Sequence, residues 1–283
     1  MSAPASAPVL YVVATPIGNL EDITLRALRV LKEADLIACE DTRHTRKLLD
    51  HYGITTPTIS YHEHNEAERA AELVDKLEAG TRIALVSDAG MPGISDPGYR
   101  VIALAIRHKI PVVPIPGPSA VMAALAASGL PTDSFRFAGF LPAKQGQRRK
   151  ALEQVRDSES TEVFYEAPHR LVECMEDVVE VLGPERPVVI AREITKLHEE
   201  FLRGPAAEVL AAVRAQTVRG EITVLIGKAE PGGTKAGPAR IGERLAQVMR
   251  EQDLDEKAAL KVVARELGLS RSEAYRRWQQ EKD

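Results

Sequence analysis

Three segments of the chain combine glycine, proline and short polar residues in the manner of a ligand cradle. They are Thr15-Pro-Ile-Gly-Asn19, the run from Ser87-Asp-Ala-Gly-Met91 through Asp96-Pro-Gly98, and Pro116-Gly-Pro-Ser-Ala120. Glycine lets a ligand approach the backbone, and proline stiffens the loop around it. A second set is charged: Glu40-Asp-Thr-Arg-His-Thr-Arg46, Tyr61-His-Glu-His-Asn65, Glu166-Ala-Pro-His-Arg170 and Arg192-Glu-Ile-Thr-Lys-Leu-His-Glu-Glu200. Here Arg43, Arg46, Arg170, Arg192 and Lys196 could hold phosphates, while Glu40, Asp41, Glu193 and Glu199 could orient them or take protons. Any one segment passes equally well as a tight turn or a solvated ion-pair network. As a set, each at the end of an expected strand, they read better as a lined cleft.

Several chemistries lack their signatures. No G-x-G-x-x-G follows the first apolar run and no G-x-x-x-x-G-K-[ST] occurs, which disfavours dinucleotides and P-loop nucleotides. The second loop offers Asp88 and Asp96 without a lysine, so it suits a cationic or hydroxyl-rich ligand better than a triphosphate. A serine hydrolase would need G-x-S-x-G, which is absent. His62-x-His64 has no third ligand in sequence and H-E-x-x-H does not occur, so no metal is expected. A separate basic stretch, Lys144-Gln-Gly-Gln-Arg-Arg-Lys150, opens an expected helix. Its charge opposes the helix dipole there, which makes a polyanion partner worth weighing against a solvated surface.

These segments need strands and helices to position them. Residues 9–14 (VLYVVA) form a continuous apolar run, as for a strand buried on both faces. Further strands are expected at 36–39, 82–86 and 112–114, with helices over 22–34, 65–78 and 99–108. Asn65 with Glu68 is a capping-box-like start, and Gly80 a stop. This βαβα alternation predicts a largely parallel sheet covered by helices. A small-residue helix over 119–127 opens a second α/β unit. Its strands are expected at 134–138, 161–165, 188–191, 198–203 and 221–227, and its helices at 146–156, 171–182 and 206–215. The shorter connections there predict a mixed sheet.

The expected division is thus an α/β domain over 1–118, a second over 119–229, a linker over 230–239 and a helical domain over 240–283. In the last, helices are expected over 241–251, 256–267 and 270–280, with a helix-turn-helix-like pattern across 259–275. Ten basic and nine acidic residues from Arg240 onward do not choose between nucleic-acid contact and a plain packing bundle.

Composition sets the outer bounds. The chain has 283 residues, 44% hydrophobic and 28% charged, enough to build a core without disulfides or metal. Its two cysteines exclude a disulfide scaffold and fit a reducing cytoplasm. No apolar run approaches the ~20 residues of a membrane helix, and the first eight residues carry no basic region, so no signal peptide is expected. With 37 basic against 41 acidic residues the formal net charge is −4, which argues against binding nucleic acid by bulk charge alone. Aromatics at 4% are too scarce for a multi-base stacking platform.

Taken in order, Thr15-Pro-Ile-Gly-Asn-Leu-Glu-Asp22, Glu40-Asp-Thr-Arg43, Ser87-Asp-Ala-Gly90 with Ile94-Ser-Asp-Pro-Gly98, Pro116-Gly-Pro-Ser-Ala120, Glu166-Ala-Pro-His-Arg170 and Arg192-Glu-Ile-Thr-Lys196 closely resemble one enzyme family. It is the bacterial small-subunit (16S) ribosomal RNA ribose 2′-O-methyltransferases that act on a decoding-centre cytidine, a branch of the tetrapyrrole methylase superfamily. The match covers essentially the whole chain, tail included. The small-molecule members typically begin with G-x-G-x-G, and Thr-Pro-Ile-Gly here fits the rRNA branch. The resemblance implies two α/β domains with S-adenosylmethionine in the cleft between them, and a homodimer. Carried over by position, the cofactor residues would be Thr15, Pro16 and Gly18, then Ser87, Asp88, Ala89, Gly90 and Met91, then Ser119 and Ala120, closed by Ala167 and Pro168. The resemblance does not fix a catalytic base. Glu193 as base and Lys196 as stabiliser of the developing alkoxide are chosen because they share one cleft-facing segment. Arg43 and Arg170 would clamp phosphates, and a local basic path would run over Arg43, Arg46 and Lys144, Arg148, Arg149 and Lys150. A small-molecule methylase and a non-enzymatic regulator led by the tail stay open as alternatives.

Overall fold

The computed structural model describes residues 7–229, 241–252, 254–266 and 271–280. The chain divides into two compact units after Ala229.

The larger unit holds two five-stranded sheets. The first contains β1 (Val9–Val13), β2 (Leu36–Cys39), β3 (Thr58–Ser60), β4 (Arg82–Val86) and β5 (Val112–Ile115) in the order β3-β2-β4-β1-β5. Every pairing in it is parallel. Helices α1 (Leu25–Glu33), α2 (Thr42–His51), α3 (Glu66–Glu78) and α4 (Tyr99–Arg107) form the crossovers. Apolar clusters bury both faces: Val13, Ile37 and Ile115 pack with α1 and α2, and Leu10, Ile83 and Leu85 with α3 and α4. Full burial of such side chains stabilises the fold by about 1.5–3 kcal/mol each.

Local chemistry sets the helix limits. The helix expected from residue 22 begins at Leu25 because Thr24 caps it, accepting the Ala27 N–H at 3.1 Å; a short 3₁₀ turn, Leu20–Asp22, precedes it. Asn65 occupies the cap position of α3, but its side chain accepts the His62 N–H at 2.8 Å instead of closing a capping box.

The second sheet is mixed, with β6 (Phe135–Phe140), β7 (Thr161–Glu166), β8 (Pro187–Arg192), β9 (Glu200–Pro205) and β10 (Ile222–Ile226) in the order β6-β7-β10-β8-β9. β6 and β7 are parallel, whereas β10 runs antiparallel to both β7 and β8. All five residues of β10 are buried. One face is covered by α6 (Gln145–Gln154), α7 (Leu171–Leu182) and α8 (Ala206–Arg214). The other receives α5 (Ala120–Ser128), which packs with Val163, Val189 and Leu225 and, from the first sheet's side, Ile17. Strands β1–β5 all precede residue 118 and β6–β10 all follow it. The two cysteines are buried, Cys39 on β2 beneath the first sheet's helices and Cys174 on the core face of α7.

The smaller unit contains α9 (Ile241–Gln252), α10 (Glu256–Glu266) and α11 (Arg271–Gln280) around a core of Leu245, Val248, Leu260, Val263 and Trp278. The expected linker, 230–239, and the turn at 267–270 lie outside the described residues.

Candidate active site

Strand order brings the loops together. β4, β1 and β5 are neighbours, so the three Gly/Pro loops leave adjacent carboxyl ends of a parallel sheet, where open α/β sheets bind ligands. The first two loops are zipped: Thr15 N–H donates to Gly90 O at 2.9 Å, Gly90 N–H to Thr15 O at 3.0 Å, and Thr15 Oγ1 to Ser87 O at 3.1 Å. In the second sheet β7 and β8 share a direction, so the segments after them emerge at one end. Antiparallel β10 begins between them, with Ile222 opposite both Glu166 and Arg192.

A cavity of about 340 Å³ opens where these ends meet. Of the residues expected to hold a cofactor, Ala89, Gly90, Met91, Ser119, Ala120, Ala167 and Pro168 line it. Thr15, Pro16, Ser87 and Asp88 instead line a separate recess of about 40 Å³ beside His44 and Thr45, so their part is to build the loop behind the wall. Ile17, inside the first expected loop, lines the cavity too, whereas sequence reasoning missed Phe140, Tyr165 and the stretch Gly220–Glu221–Ile222. The last was missed because the start of an antiparallel strand breaks the carboxyl-end rule.

Glu166 organises the far wall. Its buried carboxylate accepts the Ala167 N–H at 2.8 Å and binds the Arg170 guanidinium, which fixes the Ala167–Pro168 turn. Arg170 is therefore tied down rather than free to clamp phosphate.

Lys196 and Glu193 do meet. Lys196 Nζ donates to Glu193 Oε1 at 2.8 Å and lies 3.1 Å from Glu221 Oε2. Glu193 Oε1 also accepts the Glu221 N–H at 2.9 Å. Glu193 and Thr195 both have left-handed backbones, φ 51° and 68°, a strain of about 1–3 kcal/mol each that concentrates at functional sites. Partial burial pushes the Glu193 carboxyl up, but the bonds from Lys196 and the Glu221 amide outweigh it and hold it below the usual range. The bonds to Lys196 and the Glu221 amide place Glu193 to anchor the ammonium. On the other wall, burial followed by repulsion from Asp88 pushes the Asp96 carboxyl up, despite a hydrogen bond from Ser87. Glu40 is raised likewise, by burial and then by Asp96, Asp88 and Asp41.

The expected basic path divides. Arg43 is exposed beside Asp41, Arg46 faces Asp50, and Lys144 and Lys150 are exposed. Arg148 is a correction: it is 1% exposed, with Nε 2.7 Å from the buried Asp177 and Nη1 donating to Ala143 O, so it joins α6 to α7 and cannot meet a polyanion. Arg149 is engaged by Asp177 and Glu180. Its charge is answered by partners whose spacing, about 30 residues on, no local pattern reveals. Among the described residues no cluster of His, Cys, Asp or Glu could hold a metal ion.

The lining fits an organic cation with a broad apolar part. Ile17, Met91, Ile94 and Ile222 supply apolar wall, while Asp96, Glu166 and Glu221 supply carboxylates, and among the described residues no lysine or arginine lines it. The volume lies within the usual range for small-ligand sites, about 300–1,000 Å³.

Comparison with known proteins supplies the class. Residues 9–210 match the family Tetrapyrrole (Corrin/Porphyrin) Methylases, and the chain belongs to that family. Two relatives both bear the name Ribosomal RNA small subunit methyltransferase I. That of Halalkalibacterium halodurans is 49% identical over 96% of this chain and 95% of its own length. That of Mesorhizobium japonicum is 50% identical over 98% and 93%. The fold is shared with diphthine synthase (TM-score 0.61, 14% identity, 78% of this chain and 90% of that one). It is shared too with Thermus thermophilus uroporphyrin-III C-methyltransferase complexed with S-adenyl homocysteine (TM-score 0.53, 22% identity, 77% and 96%).

Proposed function

We propose that this chain transfers a methyl group from S-adenosylmethionine to the 2′-oxygen of a decoding-centre cytidine in 16S ribosomal RNA. One observation carries the reading: a carboxylate-edged, apolar-walled cavity bounded by Ala89–Met91, Ser119–Ala120 and Ala167–Pro168, the segments the rRNA-branch motifs single out. The names of relatives near 50% identity over almost the whole chain support the rRNA acceptor.

Bound S-adenosylmethionine would supply a sulfonium methyl open to in-line attack. Ala89–Met91, Ser119–Ala120 and Ala167–Pro168 would hold it, and the rigid loops would align donor and acceptor, which can supply much of the acceleration. Lys196 would stabilise negative charge growing on the ribose oxygen, with Glu193 and Glu221 holding its ammonium in place. Asp96, raised in pKa and on the cavity wall, would take the hydroxyl proton. Exposed Arg43, Lys144 and Lys150, with half-buried Arg46, would contact flanking phosphates, and a homodimer acting in the cytoplasm belongs to the same reading.

The test is transfer of radiolabelled methyl to small ribosomal subunits from cells lacking this protein, with the modified nucleotide mapped. Label on one ribose of a decoding-centre cytidine is the expected result. Cofactor binding without transfer to subunits or naked RNA would move the acceptor to a small molecule.

A further inference from the structure

Phe140 is 58% exposed, unusual for a ring that also lines the cavity. Its placement is built. β6 is an edge strand, and between Phe137 and Phe140 it advances three residues while β7 advances two, from Val163 to Tyr165. The extra residue is accommodated at Gly139, whose φ of 69° suits glycine. A bulge of this kind re-aims the next side chain. Phe140 is turned onto Tyr165, ring centroids 5.5 Å apart, and Tyr165 is held from elsewhere by Phe137 at 4.9 Å. Ser95 of the second Gly/Pro loop approaches this bulge: a Cβ on Gly139 would lie 3.6 Å from its Oγ. Ile94, beside Ser95, is also exposed and lines the same cavity.

The charges define what can enter. The cavity is edged by Asp96, Glu166 and Glu221, and among the described residues no lysine or arginine lines it, so a phosphate finds no cation on its wall. Lys144 lies exposed just past Phe140, outside the lining. A nucleotide meeting this surface would present its uncharged base and ribose inward and leave its phosphates outside. Unpaired bases are commonly held by stacking on an aromatic ring.

We infer that the outward face of Phe140, braced by Tyr165 and aimed by the Gly139 bulge, is a stacking platform for the unpaired base of the acceptor nucleotide. The inference rests on the proposed RNA acceptor. It makes Phe140 a substrate-positioning residue at the edge of the cavity.

The experiment compares full-length F140A, F140L and F140Y. Three quantities are measured: S-adenosylhomocysteine affinity by calorimetry, methyl transfer to unmethylated small subunits, and thermal unfolding. Loss of one base–aromatic stack predicts a fall in kcat/KM for subunits of roughly 10–100-fold in F140A. The S-adenosylhomocysteine affinity should change by less than about twofold, and the exposed site should leave the melting temperature nearly unchanged. F140Y should restore most of the rate and F140L should not. Equal weakening of S-adenosylhomocysteine binding would show that the ring holds the cofactor's adenine, and would overturn the inference. So would normal transfer by F140A, or full rescue by F140L. Wild-type protein that binds cofactor but transfers nothing to subunits would instead sink the RNA reading beneath it, a failure visible before any variant is made.

Discussion

The Glu193 carboxylate fills the space a side chain at Gly220 would need: a Cβ built on Gly220 would fall 2.3 Å from the Glu193 Cδ and Oε1. Gly220 also has a φ of 90°. Across the cleft, a Cβ on Gly18 would fall 2.4 Å from Lys196 Cγ. The Lys196–Glu193 pair thus sits in a socket walled by two glycines, one from each sheet's loops. Gly220→Ala must displace the carboxylate, and with it the ammonium. A misplacement near 1 Å can cost about 10²-fold in rate. Single-turnover kinetics on Gly220→Ala should show a loss of that order, and an unchanged rate would remove Glu193 from the site.

Lys196→Ala should lower kcat by about 10²–10³-fold if it stabilises developing charge, with S-adenosylhomocysteine affinity held within a few fold. Glu193→Gln keeps an oxygen to accept from Lys196 and from the Glu221 amide. Its loss should be smaller. Equal losses would argue that Glu193 acts as a base after all.

If Asp96 accepts the proton, transfer needs its ionised form. The rate should then rise with pH through a value above the ordinary aspartate range, in keeping with the raised carboxyl. In Asp96→Asn that limb should vanish and kcat fall by roughly 10²–10⁴-fold. A retained limb in the pH–rate profile would assign it to another group.

Arg148→Ala removes one of two guanidinium partners from the buried Asp177, leaving Arg149, and should cost about 1.5–3 kcal/mol in a urea melt. A solvated phosphate contact would cost far less. Burial pushes the Asp177 carboxyl up, but the bonds from Arg149 and Arg148 outweigh it and hold it low. The stabilisation is therefore complete above an unfolded aspartate pKa of about 3.9. It is lost as pH falls through the lower folded value.

Lys144→Ala and Lys150→Ala should each reduce the salt dependence of RNA binding by about 0.7 in the slope of log K against log salt. Filter binding at several salt concentrations reads this directly. An unchanged slope would take α6 out of the RNA path.

Much of this was legible in the sequence where cause is local. The VLYVV run announces a two-sided buried strand, and the Gly/Pro loops mark the ends of β1, β4 and β5. The Ala167–Pro168 wall was legible from its motif. What stayed hidden depends on distant partners. α2 was read only as a charged cluster, because just Thr45, Leu48 and Leu49 of its ten residues are buried. Arg148 looks like its basic neighbours until Asp177 arrives from another helix. Phe140 and Glu221 reach the cavity through a bulge and an antiparallel strand, and neither has a local sequence signature.

The two buried cysteines have a practical consequence. One lies in the core of each sheet's half, and burial followed by the Glu166 charge pushes the Cys174 thiol far up. Burial likewise raises the Cys39 thiol. Neither sulfur is a usable nucleophile while its surroundings stay closed. Thiol alkylation therefore becomes a clock on local opening. Because the two sites fall on different peptides, mass spectrometry of partly labelled protein would time each half separately. A cofactor that clasps both halves should slow the two clocks together.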